Sequence, residues 1–216
     1  MPAPTRPIRL YRFPLSGHSH RAELFLSLLG LPFEGVNVDL LQRAQKRPEF
    51  LAKNPFGQVP VIEDDNAGEP VVVADSNAIL VYLATRYDAS GRWLPREPRA
   101  AAEVQRWLSL AAGELAFGPA DARVMKLFGA KYDYERAKGL AARLYAVMDS
   151  HLATRSFLAA AHPTIADVAL YSYTAHAPEG GISLEPYPHV RAWLGRIEAL
   201  PNFVPMPKSP VPAAAA

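Results

Sequence analysis

The chain has 216 residues, of which half are apolar and a fifth charged, and its formal net charge is only +2. Its Lys and Arg residues are scattered rather than grouped with aromatic residues, which argues against nucleic acid as a partner. The chain contains no cysteine, which excludes disulfides, zinc sites with thiolate ligands and any mechanism that uses a protein thiol.

The N-terminal segment MPAPTRPIRLYRF lacks the apolar core of a signal peptide. No apolar run in the chain reaches the roughly 20 residues that a membrane-spanning helix needs. We therefore expect a cytoplasmic protein without a membrane partner.

The first elements predicted are a strand, a helix and a second strand. Residues 8–13 alternate in the manner of a short strand. The run RAELFLSLLG that follows is rich in helix formers, and Gly30 is well placed to end the helix. VNVDL, residues 36–40, alternates again. Because a helix separates the two strands, the simplest arrangement is a parallel pair.

A hairpin and a further helix are predicted next. A short helix is expected over residues 48–53, and a third strand follows the segment NPFGQ. The turn DDNAG at 64–68 leads back into a strand at 70–75, which is typical of a hairpin. A helix follows directly, with Asp75 or Ser76 as its N-cap.

Residues 89–97 have the composition of a linker, and every strong signal after them is helical. Thr164-Ile165-Ala166-Asp167 is a variant of the capping box at the start of one helix. The last residues are rich in Pro and Ala and cannot build a core. The predicted helices of this half cover about 98–127, 132–153, 164–176 and 187–199.

The order of these elements is that of a thioredoxin-like α+β domain followed by an all-α domain. NPFGQVPVIEDD and VVVADSNAILVYLATRYD resemble the N-terminal domain of glutathione transferases, and TIADVALYSYTAHA resembles their helical domain. The resemblance covers residues 7–203. It implies a glutathione-binding thioredoxin-like domain at 7–88, an all-helical bundle domain at 97–203 and a Pro/Ala-rich tail at 204–216.

The resemblance also implies contacts to each part of glutathione, a γ-glutamyl-cysteinyl-glycine tripeptide. The cysteinyl backbone would pair with the peptide edge at Val59-Pro60, a bond that is cis in the family, in the manner of an added strand. Asp75 would pair with the γ-glutamyl ammonium, and Ser76 with the neighbouring carboxylate at the positive end of a helix. The same two residues can act as helix caps, and both roles can coexist. The glycyl carboxylate would be bound by Gln45 (where some relatives carry His), Lys46 (alternatively a solvated lysine) and Gln58.

Residues 14–22, PLSGHSHRA, join the first strand to the first helix and carry the candidate catalytic hydroxyl. Glutathione is a nucleophile only as the thiolate, which a hydroxyl hydrogen bond at a helix N-terminus favours. PLSGHSHRAELFL resembles the serine-type motif of the family, which places Ser16 at the sulfur and Arg21 in the helix behind it. Ser19 is an alternative for the sulfur contact and, because it stands directly before the helical run, the expected N-cap. Tyr11 is a further alternative, because tyrosine-type relatives place the hydroxyl on the first strand.

His18 and His20 form an H-x-H pattern, which also occurs in metal sites. Zinc needs three or four ligands, and neither Cys nor a cluster of Asp, Glu or His lies near in the sequence. We interpret the two histidines as polar residues at the mouth of a helix and expect no metal. His18 is nevertheless placed to touch substrate.

The second substrate is expected over the thiol, between the two domains. A stripe on the long helix that includes Trp107 is proposed to contribute to its pocket, although such stripes more often form core. The expected pocket residues are Phe13, Leu15, Arg106, Leu110, Glu114 and Phe117.

The resemblance implies a homodimeric glutathione transferase that activates the glutathione thiolate for attack on a hydrophobic electrophile. One alternative is glutathione-dependent reduction of disulfides or peroxides, which without a protein cysteine must activate bound glutathione. The other is a non-catalytic module that binds glutathione or another ligand. The presence of Ser16, Pro60 and the Asp75-Ser76 pair argues against that second alternative.

Overall fold

The computed structural model of the protein describes residues 4–209. These residues form two compact units. The first comprises the chain up to Leu94 together with Pro201–Pro207, and the second comprises Pro95–Leu200 with Lys208 and Ser209. Among residues 4–209, no helix is long and apolar enough to cross a membrane.

The first unit is built on a four-stranded mixed sheet. Its strands are β1 (Ile8–Arg12), β2 (Phe33–Asn37), β3 (Val61–Asp64) and β4 (Val71–Ala74), in the spatial order β2-β1-β3-β4. β1 and β2 run parallel, whereas β3 is antiparallel to both β1 and β4. The predicted parallel pair and the predicted hairpin are therefore both confirmed.

This unit also has three α-helices, α1 (Gly17–Leu28), α2 (Pro48–Leu51) and α3 (Ser76–Tyr87), and a short 3-10 helix at Ala44–Lys46. α1 connects the parallel strands and buries its consecutive apolar residues Leu24, Phe25 and Leu26 completely. Gly30 follows the helix with φ +64°, the left-handed conformation that glycine adopts without steric cost. The helix therefore ends at the glycine, as the sequence predicts.

The second strand begins earlier than predicted. The sequence alternation points to 36–40, but β2 covers Phe33–Asn37. Its limits are set by the partner strand, because the parallel register pairs Ile8 with Phe33 and Arg12 with Asn37. A five-residue β1 can pair with only five residues, and alternation within β2 alone does not contain that information.

The segment Pro201–Pro207 returns to the first unit. The sequence assigned it partly to the helical domain and partly to the tail. Ser27 Oγ donates to the carbonyl of Asn202 (2.7 Å), and a His20 ring nitrogen lies 2.9 Å from the carbonyl of Val204. Met206 is buried, so this part of the predicted tail contributes to a core. The rest of the predicted tail, from residue 210 onward, lies outside the described residues.

The secondary structure of the second unit, over its described residues, consists of helices, including a short 3-10 helix at Ala177–Gly180. Its α-helices are α4 (Pro98–Ala112), α5 (Asp121–Phe128), α6 (Tyr134–Leu152), α7 (Ile165–Ala175) and α8 (Pro188–Glu198). α7 is almost entirely buried, as its apolar composition requires. The predicted fold class, a thioredoxin-like α+β domain followed by an all-α domain, is confirmed.

The predicted helix at 98–127 is interrupted. α4 ends before Gly113, a π-helical segment spans Ala116–Ala120, and α5 then begins at Asp121. Pro119 lies inside the π-helical segment. A proline has no N–H to donate and its ring clashes with the carbonyl one turn back, so a regular α-helix cannot continue through it.

The predicted capping box at the start of α7 is confirmed. Thr164 Oγ1 accepts from the N–H of Ala166, and the Asp167 carboxylate accepts from the N–H of Thr164 at 2.8 Å. The buried Asp167 also accepts from Trp193 Nε1 (2.9 Å) and from the N–H of Leu158 (2.9 Å). One carboxylate thus joins α7, α8 and the loop before α7.

Candidate functional site

The sheet register brings three chain segments to one end of the sheet. Tyr11 near the end of β1 pairs with Val61 at the start of β3, and Val61 pairs with Ala74 at the end of β4. The residues just after β1, just before β3 and just after β4 must therefore lie at the same end. Those segments contain the predicted site residues Ser16, Val59-Pro60 and Asp75-Ser76.

Ser16 is the N-cap of α1. Its Oγ accepts a hydrogen bond from the N–H of Ser19 (3.3 Å), and its carbonyl accepts from the N–H of His20 (2.9 Å). Within residues 4–209 the hydroxyl hydrogen of Ser16 has no acceptor. The side chain can therefore cap the helix as an acceptor and still donate its hydrogen to a ligand atom, next to the positive end of the helix.

Ser19 is not the N-cap that the sequence suggests. The cap is Ser16, three residues earlier in the chain, which has the extended backbone of a capping residue (φ −89°, ψ 119°). Ser19 is buried, and its Oγ accepts from the N–H of Phe13 (3.2 Å). This bond ties the end of β1 to α1, so the Ser19 hydroxyl has a structural partner.

The Tyr11 hydroxyl is engaged on another part of the sheet. It donates to the Glu63 carboxylate at 2.9 Å, and Lys53 donates to the same carboxylate. Loss of hydration and the hydrogen bond to Glu63 raise the pKa of Tyr11 above its ordinary value. The Tyr11 hydroxyl hydrogen is thus already used by Glu63, which argues against Tyr11 as the hydroxyl that binds the sulfur.

Asp75, one of the two caps that the sequence allows, is the N-cap of α3 and has an unusual backbone. Its φ of +74° lies in the region that residues other than glycine rarely adopt. Its Oδ1 accepts from the N–H groups of both Asn77 (2.8 Å) and Ala78 (3.0 Å). Because both bonds use Oδ1 and the residue is exposed, Oδ2 can still contact a cationic group.

Two side chains of α1 hold Ser76 at the start of α3. Arg21 Nη1 donates to Ser76 Oγ (2.8 Å) and to Asn77 Oδ1 (2.8 Å), and His18 Nδ1 lies 3.3 Å from Ser76 Oγ. Ser76 and Arg21 are both buried. The N-termini of α1 and α3 are therefore linked directly, which joins the surroundings of Ser16 to those of Asp75.

The sequence predicts a substrate contact for His18 and places Arg21 behind the active serine, but it links neither residue to Ser76. An arginine within the apolar run that forms α1 was the available signal, because a buried guanidinium requires partners. His18 had no comparable signal, since its partner lies 58 residues away in the chain. Loss of hydration and the nearby Arg21 charge lower the pKa of His18 to about 3, so the ring is neutral at neutral pH.

The predicted glycyl-carboxylate residues lie in the connection from β2 to β3. Lys46 Nζ donates to the carbonyl of Phe56 (2.9 Å), and the carbonyl of Gln58 accepts from Asn54 Nδ2 (2.9 Å). Gln45 Oε1 is buried and has no hydrogen-bond partner within residues 4–209. The structure thus places Lys46 and Gln58 on one folded loop, with their side chains exposed.

The Val59-Pro60 peptide bond is cis, as the resemblance implies. The two residues directly precede β3, which begins at Val61. Val59 is partly buried and packs against a small core cluster around Phe50.

The predicted pocket residues fall in both units. Phe13 and Leu15 of the first unit are partly buried.

In the second unit, Arg106 forms an ion pair with Glu103, and Glu114 accepts from Arg143 at 3.0 Å. Leu110 is partly buried and Phe117 is half exposed, but the break after Ala112 means that they do not share one continuous α-helical face. Trp107, which the stripe included, is fully buried.

The two histidines of the H-x-H pattern have separate partners, Ser76 for His18 and the carbonyl of Val204 for His20. Within the described part of the chain, no group of three or more His, Asp or Glu side chains is arranged to hold a metal ion.

Both halves of the chain match known protein-family domains. The description "Glutathione S-transferase, N-terminal domain" matches residues 15–86, and "Glutathione S-transferase, C-terminal domain" matches residues 106–201. The chain belongs to the glutathione S-transferase family.

Individual relatives span nearly the whole chain. Glutathione S-transferase 3 of Zea mays is 34% identical over 94% of this chain and 97% of its own length. Disulfide-bond oxidoreductase YfcG of Escherichia coli is 33% identical over 90% of this chain and 91% of its own length. A crystal structure of a glutathione transferase family member from Pseudomonas fluorescens, described as having two glutathione bound, is 30% identical, with a TM-score of 0.79 and coverage of 90% of this chain and 89% of that one.

Proposed function

We propose that the protein is a glutathione transferase in which Ser16 stabilises the glutathione thiolate for attack on a hydrophobic electrophile. The observation that carries the proposal is the geometry of Ser16. Its oxygen is fixed by the N–H of Ser19, while its hydrogen has no acceptor within residues 4–209. A hydroxyl that is held in place and still able to donate fits a developing anion at the helix N-terminus.

The tripeptide would be held by its backbone and both ends. Val59 offers its peptide edge to the cysteinyl backbone, and Asp75 Oδ2 pairs with the γ-glutamyl ammonium. Ser76 and the N-terminus of α3 bind the γ-glutamyl carboxylate. The glycyl carboxylate, which only accepts hydrogen bonds, is bound by the side-chain nitrogen donors of Gln45, Lys46 and Gln58.

The chemical step then needs little from the protein beyond ionisation and orientation. The thiol proton leaves to solvent, and the hydroxyl of Ser16 donates to the sulfur anion, which lowers the pKa of the thiol. The sulfur forms a bond to an aromatic, epoxide or enone carbon. The electron pair displaced goes to the leaving group, the epoxide oxygen or the enone carbonyl. The pocket for this substrate is proposed to include Phe13, Leu15, Arg106, Leu110, Glu114 and Phe117.

Calorimetry with reduced glutathione tests the first half of this proposal, and a substrate panel tests the second. We expect saturable binding, and conjugation to at least one of an aryl halide, an epoxide and an enone. No binding at millimolar glutathione would contradict the proposal as a whole.

Reduction of disulfides is a second candidate, favoured by the 33% identity to the disulfide-bond oxidoreductase of Escherichia coli. This chain has no cysteine, so both electrons must come from glutathione. A bound thiolate would attack the disulfide, release one thiol and form a mixed disulfide. A second glutathione would then release the other thiol and leave oxidised glutathione. A panel in which disulfide reduction proceeds and no electrophile is conjugated would favour this candidate.

A further inference from the structure

The Ser76 hydroxyl lies between two side chains of α1. Arg21 Nη1 is 2.8 Å and His18 Nδ1 is 3.3 Å from Ser76 Oγ, and only 2% of Ser76 is exposed. A serine oxygen has two acceptor sites and one hydrogen. Arg21 can act only as a donor, so it occupies one acceptor site. The role of His18 then decides where the hydroxyl hydrogen points.

His18 can be a donor or an acceptor at Nδ1, because a neutral imidazole has one nitrogen of each kind. The ring is neutral at neutral pH, as its lowered pKa of about 3 requires. If Nδ1 accepts, it takes up the Ser76 hydrogen and competes with a ligand for it. If Nδ1 carries the hydrogen, both acceptor sites of Ser76 are filled, and the hydroxyl hydrogen is directed away from α1 and toward a ligand.

We propose that His18 is a positioning residue that donates through Nδ1 to Ser76 and thereby orients the Ser76 hydroxyl toward the γ-glutamyl carboxylate of glutathione. The proposal rests on the proposed function, since it assumes that glutathione binds at this end of the sheet. A carboxylate accepts hydrogen bonds and donates none, so the donor arrangement is the one that suits it. His18 thus strengthens the binding of glutathione through Ser76 and has no part in ionising the sulfur.

Three substitutions at His18 separate this role from a general effect on the fold. Asn places an amide nitrogen at the position of Nδ1, Gln places one nearer the position of Nε2, and Leu has no polar atom. We expect His18→Leu and His18→Gln to raise the Kd for glutathione about three- to tenfold, the effect of one neutral hydrogen bond. His18→Asn should stay close to the parent protein. Calorimetry measures all four proteins, and thermal unfolding verifies that each is folded.

Two further measurements show whether His18 acts through Ser76. In a Ser76→Ala background, His18→Leu should have no additional effect on the Kd, because the residue through which it acts is missing. The pKa of the bound thiol, followed by its ultraviolet absorbance, should be the same in His18→Leu as in the parent.

An unchanged or lower Kd in His18→Leu would overturn the inference, since it would make Nδ1 an acceptor that competes with the ligand. A full additional loss in the Ser76→Ala background, or a raised thiol pKa, would also overturn it. Each of these results requires that the parent protein binds glutathione. Failure of the proposed function is therefore distinguishable, because the parent itself would then show no binding.

Discussion

Ser16 and Asp75 each combine a helix cap with a proposed contact to glutathione. Ser16 caps α1 with its oxygen and keeps its hydrogen for a ligand, while Asp75 caps α3 through Oδ1 and keeps Oδ2. Cap and ligand contact are both expected at Asp75, whereas at Ser16 the sequence predicts the ligand contact and favours Ser19 as the cap. The geometry allows the cap and the ligand contact at the same time. Ser16 accepts with its oxygen and can donate its hydrogen, and Asp75 uses a different carboxylate oxygen for each role.

Substitution of Asp75 by Ala is expected to affect both stability and binding. Loss of the cap should lower the free energy of unfolding by about 1 kcal/mol. Loss of the carboxylate should also weaken glutathione binding roughly tenfold, the equivalent of about 1.4 kcal/mol, because the ligand ammonium is left without its partner. Urea unfolding and calorimetry measure the two effects separately.

Asp133→Ala is the matched control for this prediction. Asp133 caps α6 by accepting from the N–H of Arg136 (3.0 Å), and it lies outside the proposed site. Its removal should lower stability by a similar amount and leave the Kd for glutathione unchanged. If Asp75→Ala likewise changes stability alone, Asp75 is a cap and nothing more.

At the scale of elements, the sequence predicts what depends on local chemistry. The capping box of α7, the turn of the β3-β4 hairpin and Gly30 at the end of α1 each follow from nearby residues. The limits of β2 and the link from His18 and Arg21 to Ser76 depend on partners distant in the chain. A single sequence contains little information about such partners.

The break in the predicted helix at 98–127 differs from these cases, because local residues signal it and the apolar periodicity does not show it. Gly113 and Pro119 are visible in the sequence and are local signals for an interruption. The apolar periodicity around them extends through both positions, and following it alone produces a single helix at 98–127. The signal for the break is therefore local, and in the structure it outweighs the helical periodicity.

The connection between β3 and α3 depends on one buried carboxylate. Asp64 at the end of β3 is fully buried and accepts from the hydroxyls of Tyr82 (2.8 Å) and Tyr87 (2.5 Å) of α3. Its pKa is lowered: burial acts to raise it, but the donors from Tyr87, Asn66 and Tyr82 outweigh burial. The charged carboxylate therefore fixes α3, and with it Asp75 and Ser76, against the sheet.

Tyr87→Phe should remove one of these donors and little else. We expect the free energy of unfolding to fall by about 1.5–3 kcal/mol, as for a hydrogen bond to a charged group. Tyr132→Phe is the control, because Tyr132 is largely exposed and its hydroxyl has no hydrogen-bond partner within the described residues. Equal stability of the two variants in urea would show that Asp64 does not need the Tyr87 hydroxyl.

At the scale of the whole molecule, we expect a homodimer. The first unit exposes large apolar side chains, among them Phe56 at 80% and Leu41 at 71% of their surface. Ala78 and Val81 on α3 add further accessible apolar surface. Apolar surface of this kind often marks a protein interface. Sedimentation at micromolar concentration should give twice the 23.6 kDa of the chain. A single species at the monomer mass would contradict the expectation.

We propose that the Ser16 hydroxyl stabilises the glutathione thiolate, and the pKa of the bound thiol tests this role directly. The ultraviolet absorbance of the thiolate can be titrated against pH in the parent, Ser16→Ala, Ser16→Thr and Ser19→Ala. Ser16→Ala should raise the pKa by about one to two pH units, since one hydrogen bond to an anion is lost. Conjugation at neutral pH should fall roughly ten- to a hundredfold, and less at high pH, where the thiol ionises unaided.

Ser16→Thr and Ser19→Ala are the controls for Ser16→Ala. Ser16→Thr retains a hydroxyl and should stay near the parent value. Ser19→Ala should lower stability by about 1 kcal/mol through the lost bond to Phe13, with no change in the thiol pKa. The role proposed for Ser16 requires a raised thiol pKa in Ser16→Ala and in no other of these variants. A parental thiol pKa in Ser16→Ala, or a raised one in Ser19→Ala, would contradict it.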